Sequence, residues 1–312
     1  MKDKDENKNV FSVFLTEFIR LSDVIKWSAI SFIGFLLGVT TTSLWEYTIP
    51  FFVFLITTFC IMSFTFSINN YFDVDSDRKN PRLAKKNAIA SEKISKKLAI
   101  ICMCLFVLIS SILSFLYQFQ VFLASSIMLF WMWIYSAPPF RLKGRPIIDV
   151  IWHFFAFFGI VLWGSIIAGP LQLINWITAI SLGAFSCIGQ VWNHIVDYAF
   201  DKESGTSTFA VKLGLDKANI TIKGLIVAHI ILLVPLVTLY TLSYFIALFV
   251  LVSIILVGLI ALRPKKDGFP TKRSFEYFFA VVVGGAVYVS ILIYHFCVIY
   301  GVNCLKTGFT IF

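Results

Sequence analysis

Nine apolar stretches, each close to the ~20 residues that a helix needs to cross a bilayer, dominate the chain. They fall at roughly 27–44, 49–68, 97–117, 120–136, 148–168, 173–192, 222–240, 243–262 and 277–300. The expected fold class is all-α, a polytopic membrane protein of nine transmembrane helices. The apolar fraction is 59% and the charged fraction 14%, outside the range of a soluble domain. No short hydrophobic core with a small-residue cleavage site precedes the first run, so the N-terminus reads as retained.

Charge sorts the connections. The N-terminus, 69–96, 137–147, 193–221 and 263–276 hold nearly every Lys and Arg, whereas 45–48, 118–119, 169–172, 241–242 and the C-terminal tail hold only Glu46 and Lys306. The positive-inside rule makes the first set cytoplasmic and places the C-terminus on the opposite side. The net charge of +9 is read as topology and contact with anionic lipid, leaving some cations for an anionic substrate. The cations are spread over short loops without a docking element, so nucleic acid is not an expected partner. The six cysteines read as core thiols. Within 1–26, Phe11, Phe14, Leu15, Phe18 and Ile25 recur at helical spacing, with Glu17, Arg20 and Asp23 on other faces. This predicts an amphipathic helix lying in the cytoplasmic interface.

Two apolar runs end in the same spelling. Asn69-x-x-x-Asp73-x-x-x-Asp77 closes the second, and Asn193-x-x-x-Asp197-x-x-x-Asp201 closes the sixth. On a helix each set forms a stripe about 12 Å long, with Asp75 on a different face. A calcium loop at Asp73–Asp77 is rejected, because Arg78 stands where its Gly belongs and Ala84 where its Glu belongs. Between the motifs, Tyr135-Ser136-Ala137-Pro138-Pro139 ends a helix and presents Arg141, Lys143 and Arg145 on the same side. His194 lies one residue off the second stripe and reads as a hydrogen-bonding structural residue; His194 and Tyr135 are also considered for handling an acceptor.

Carboxylates gathered on facing stripes repel by several kcal/mol even at an effective dielectric of about 20. They call for a cation, and all-oxygen ligands favour magnesium over zinc or iron. Magnesium held this way suits a diphosphate, with Arg78, Arg82 and Lys143 completing the neutralisation. Departure of diphosphate from an allylic carbon leaves a carbocation, which aromatic walls stabilise in a dry cavity. The chain has 34 Phe and 8 Trp, mostly on the expected spans.

These motifs, with the Tyr-Ser-Ala-Pro-Pro-x-x-x-Lys turn and Asp197-x-x-x-Asp201-x-x-x-Gly-x-x-Thr-x-x-Val-x-x-Gly, resemble the UbiA superfamily of intramembrane prenyltransferases. The resemblance covers nearly the whole of 1–312, read as a single domain. It implies a nine-helix bundle around a central cavity open to the cytoplasm. It also implies magnesium-dependent transfer of a prenyl chain from a polyprenyl diphosphate to a hydrophobic acceptor, either a quinone-precursor ring, a carotenoid or a similar lipid.

Asn69, Asp73, Asp77, Asp197 and Asp201 then take magnesium-diphosphate roles, the four aspartates and Lys143 being the candidate catalytic residues. Arg78, Arg82 and Lys143 contact the anion; Tyr135 is a further substrate residue, and Asn193 is added from the repeat. The alternatives are an archaeal-type ether-lipid (geranylgeranylglyceryl phosphate) prenyltransferase, a membrane terpene cyclase, or a cation or anion transporter. Two departures stand out: Asn70 where many members have Asp, and Ala90-Ser91-Glu92 in place of a small residue followed by Gly.

Overall fold

The computed structural model describes residues 9–79, 81–240 and 275–301, and among them every regular element is helical. Eight helices are long: α1 (Leu21–Gly38), α2 (Thr48–Asp77), α3 (Lys96–Tyr117), α4 (Phe119–Ser136), α5 (Pro146–Ala168), α6 (Leu173–Val196), α7 (Leu215–Tyr240) and α8 (Phe275–Ile299). Seven helices are long and apolar enough to cross a membrane, each lying within α1 to α7 or overlapping it closely. The span expected at 243–262 lies outside the described residues.

Local chemistry sets the boundaries. Ser95 caps α3 by accepting from the Leu98 N–H at 3.2 Å. Pro146 opens α5, where its missing N–H costs nothing. Gln172 and Asn175 form a reciprocal capping box at the start of α6. α2 runs for 30 residues without a break, so the first Asn/Asp motif lies on the helix and the charged connection begins only after Asp77.

The described residues form two compact units, one drawn from 1–32 with 46–142 and the other from 33–45 with 143–312. In the first, α2 packs against α3 and α4, and Phe54, Ile61, Met62 and Met132 are sealed in its core. Leu98, Ile101, Leu105, Leu108 and Ile112 remain exposed along α3. In hydrocarbon such a surface needs no protein partner.

The N-terminal segment departs from the expected interfacial helix. A helical turn at Val10–Val13 passes into a π-helical turn, Phe14–Phe18, and α1 starts at Leu21, earlier than expected. Phe18 and Ile19 are fully buried, whereas Val10, Phe11 and Ile25 are exposed. Glu17, assigned by periodicity to a polar face, is buried with Lys93 Nζ 2.9 Å from its carboxylate. The buried Asn70 amide donates to the backbone carbonyls of Glu17 at 2.8 Å and Phe18 at 2.9 Å. The last carbonyls of a short helix need donors, and α2 supplies them, docking the segment.

In the second unit, α5 packs with α6, and α6 with α7. Gly34 and Gly38, at the end of α1, lie so close to α5 that an added Cβ would meet the carbonyl oxygens of Val161 and Ser165 respectively. The Ser165 hydroxyl donates to Gly34 O at 2.8 Å and accepts from Asn175 Nδ2 at 3.0 Å. His295 Nε2 lies 2.7 Å from Val39 O, and the hydroxyls of Ser181 and Tyr288 are 2.9 Å apart. These polar side chains thus meet one another or the backbone, whereas the buried Thr178 Oγ1 and His229 Nε2 make no hydrogen bond among the described residues. Cys297 is disulfide-bonded, which corrects the reading of all six cysteines as core thiols. It sits near the end of α8 and not in the middle of an apolar run.

Candidate active site

Because α2 continues through the first motif, Asn69, Asp73 and Asp77 recur every four residues along one helix face. Asn69 and Asp73 are half-buried, and Asp75 is exposed, as the helical count requires. Ser136, at the end of α4, donates to Asn69 Oδ1 at 3.3 Å. Beyond it, the Arg141 N–H bonds Ala137 O at 2.8 Å, closing the proline turn. Arg141 Nη2 then lies 3.4 Å from Asp73 Oδ1 and 3.5 Å from Phe72 O. The Ser-Ala-Pro-Pro turn therefore delivers a cation to the first carboxylate of the stripe. Tyr135 is half-buried in the last turn of α4.

The connection after α2 is organised by Asn87, which is 1% exposed. Its amide N–H groups donate to Asn70 O at 2.8 Å and Asp77 Oδ2 at 2.9 Å. Its carbonyl accepts from the N–H groups of Ile89 at 3.0 Å and Ala90 at 3.2 Å. Arg78 donates to Ala90 O at 3.3 Å and Glu92 Oε1 at 3.0 Å, so in this structure its guanidinium holds the same loop. Glu92 takes a φ of 62°, the left-handed conformation that glycine adopts without strain. The Ala90-Ser91-Glu92 departure noted in the sequence thus falls at a turn, where the Arg78 pair helps to hold the non-glycine residue. Arg82 belongs to the helical turn Pro81–Ala84, and its side chain lies outside the described residues. Asn87→Ala should cost about 2–4 kcal/mol by leaving several buried polar groups unpaired. Thermal melts of purified protein check this expectation.

The second motif differs from the expected stripe. α6 stops at Val196, Asp197 takes φ −93° and ψ 6°, and a new short helix runs over Tyr198–Glu203. Carboxylates at the C-terminal end of an uninterrupted helix would oppose its dipole. The break instead places Asp197 just before a new helix start. Asn193 and Asp197 are exposed, and Asp201 is half-buried. Lys143, in the turn Leu142–Gly144, is half-buried in this same unit.

Burial raises the Asp201 carboxyl above its ordinary range; the Thr208 hydroxyl opposes the rise, the Asp197 charge adds to it and His194 opposes it. The native state therefore binds this proton more tightly than the unfolded chain. The associated stability is present at pH below the ordinary carboxylate value and is lost as pH rises through the raised folded value. Asp201→Asn should flatten that dependence and, in EDTA at pH 7, raise the melting temperature by about 1–3 °C. Parallel melts across this pH range are the check.

One buried cluster in this unit was not anticipated as a group. Asp149, in the first turn of α5, is 3% exposed. Its Oδ2 lies 2.8 Å from Gln190 Nε2 and 2.9 Å from His194 Nε2 on α6. His194 is thus the buried, hydrogen-bonded residue expected from the sequence. Arg141, Asn87, Asn70, Asp149 and Gln190 were not assigned to the site by motif reading. Arg141 carried a signal as a cation of the proline turn, and Gln190 as a residue continuing the Asn193/Asp197 face one turn deeper.

Among the described residues no three His, Cys, Asp or Glu side chains cluster as a self-sufficient metal site. Each motif instead offers two carboxylates. This fits magnesium, which is usually held by one or two carboxylates together with substrate phosphates.

Residues 28–282 match the model of the UbiA prenyltransferase family. The chain belongs to this family. It is accordingly a prenyltransferase and a multi-pass membrane protein. Its fold is shared with a UbiA homologue from Archaeoglobus fulgidus bound to GPP and Mg2+, at 22% identity and TM-score 0.70, over 91% of this chain and 99% of that one. A digeranylgeranylglyceryl phosphate synthase is similar at 18% identity and TM-score 0.65, over 95% of this chain and 99% of that one. An apo UbiA homologue from Aeropyrum pernix K1 matches at 18% identity and TM-score 0.65, covering 88% and 98%. No curated protein sequence matches the chain.

Proposed function

We propose that this UbiA-family enzyme transfers a prenyl chain from a polyprenyl diphosphate to a hydrophobic acceptor, a quinone-precursor ring, carotenoid or similar lipid. The observation that carries the reading is the first motif: Asn69, Asp73 and Asp77 on one face of α2, with Arg141 at Asp73 and Asn87 at Asp77. Asn69, Asp73, Asp77, Asp197 and Asp201 would hold magnesium. When bound, magnesium neutralises the diphosphate and favours its departure.

The protein's own groups do the rest. Arg141 and Lys143 attract the diphosphate, with Arg78 and Arg82 as further cations on the same connections. Asn87 fixes Asp77 in place. The allylic C–O bond breaks with its electron pair going to the diphosphate. The acceptor's nucleophilic atom then bonds to the allylic carbon and sheds a proton. Aromatic side chains stabilise the cation, and the apolar surroundings keep out water that would otherwise capture it.

The reading extends to one domain over 1–312, with nine spans, a cavity open to the cytoplasm, both motifs on the cytoplasmic side and the C-terminus opposite. Support comes from the Lys/Arg asymmetry of the connections. The test is product mass spectrometry on protein in lipid nanodiscs, with magnesium, prenyl diphosphates of several lengths and a panel of acceptors. A prenylated product with matching diphosphate release is expected. Diphosphate release with a cyclised hydrocarbon and no adduct would replace transfer by cyclisation.

A further inference from the structure

Gln190 has one amide orientation that its surroundings permit. Asp149 Oδ2 accepts only, so the Gln190 atom 2.8 Å away is the donating Nε2, and the carbonyl Oε1 is directed elsewhere. His194 Nε2, 2.9 Å from the same oxygen, likewise carries its proton toward Asp149. Gln190 Nε2 and His194 Nε2 lie 3.1 Å apart as neighbours on one carboxylate oxygen. His153 Nδ1 lies 2.9 Å from the Asp149 backbone carbonyl oxygen and 3.4 Å from Oδ1, so Oδ2 is the carboxylate oxygen that takes the hydrogen bonds. The half-buried amide is thereby locked, and among the described residues its Oε1 accepts no hydrogen bond.

Its place on the helix gives that oxygen a use. Gln190 precedes Asp197 by seven residues, which puts it within about 20° of the Asp197 azimuth and about 10 Å deeper toward the membrane. A prenyl diphosphate with its charged end at Asp197 has its allylic carbon on the membrane side of that residue, where the acceptor must arrive.

We propose that Gln190 is a specificity-determining residue that accepts a hydrogen bond from a hydroxyl on the acceptor, with Asp149 and His194 as positioning residues. The assignment rests on the prenyl-transfer reading and narrows it to acceptors carrying an O–H beside the nucleophilic atom. A hydrocarbon acceptor would leave Oε1 facing carbon and lose that selection.

The test uses 1-naphthol, 1-methoxynaphthalene and a carotenoid hydrocarbon as acceptors, with wild type, Gln190→Met and Asp149→Asn. The methoxy compound keeps the electron donation that activates the ring but replaces the O–H donor by O–CH3, and comparison with Gln190→Met separates the lost donor from the added methyl. Wild type is expected to favour 1-naphthol over its ether by roughly ten- to a hundredfold in kcat/KM, the range of one buried hydrogen bond. Gln190→Met should collapse that ratio to within about threefold, since the hydrogen-bond contribution is gone. Asp149→Asn should lower it severalfold by releasing the amide. Binding of magnesium with a non-hydrolysable thiolodiphosphate should stay the same in both variants.

An unchanged ratio in Gln190→Met, equal wild-type use of both naphthalenes or of the hydrocarbon, or weakened thiolodiphosphate binding would each overturn the assignment while leaving prenyl transfer standing. If either variant fails to fold, the wild-type ratio and the other variant decide. Diphosphate release by wild type without any prenylated product would remove the transfer reading itself, and the Gln190 role with it.

Discussion

Asp73→Ala and Asp197→Ala are each expected to lower prenyl transfer by about 10³-fold or more, the scale lost when a main electrostatic contributor to a transition state is removed. Asp73 stands on the uninterrupted α2 with Arg141 Nη2 3.4 Å away, and Asp197 follows the end of α6 in an exposed position. Neither is part of an apolar core, so both variants should fold with wild-type melting temperatures. Activity against magnesium concentration is the decisive measurement. A residual rate that excess magnesium restores would mean weakened ion binding, whereas a loss that magnesium cannot restore would place the carboxylate on the reaction itself. Wild-type turnover in either variant would sink the proposed role of that motif.

Gly34→Val should prevent accumulation of folded protein. The backbone of Val161 occupies the place where any Cβ at residue 34 would go, and a backbone cannot swing aside as a long side chain can. Forcing extra carbons into a packed contact costs about 1–3 kcal/mol where neighbours adjust, and occasionally more. Here the same contact also carries the Ser165 hydrogen bond to Gly34 O. The readout is the yield of monodisperse protein on gel filtration in detergent, beside Gly224→Val. Gly224 has open space around its Cβ position and should tolerate the change. Normal yield and melting temperature for Gly34→Val would show that this close approach is dispensable.

Arg78 and Arg141 show how the two levels of reading divide. Arg78 follows Asp77 directly and Arg141 lies in the proline turn between the motifs, and the sequence offers no means to rank them. The resemblance implies an anion contact for Arg78. In the structure, a loop folded around Asn87 brings Glu92 to it, while the proline turn carries Arg141 to Asp73, 68 residues away in sequence. The N-terminal segment makes the same point. Its apolar spacing is helical, yet Glu17 is buried because Lys93 and Asn70 come to it from elsewhere in the chain.

The sequence by itself determined what depends on local chemistry. Apolar length dictates membrane helices, prolines and capping residues dictate several of their ends, and a four-residue period places Asn69, Asp73 and Asp77 on one face. Paired carboxylates with no His/Cys set are what the proposed magnesium role rests on. Only the tertiary structure decided the break at Asp197, the docking of the N-terminal segment, and the lock of Gln190 by Asp149 across 41 residues. The last two depend on a polar side chain finding its partner on another element, and that pairing is set by helix packing, which no local pattern encodes.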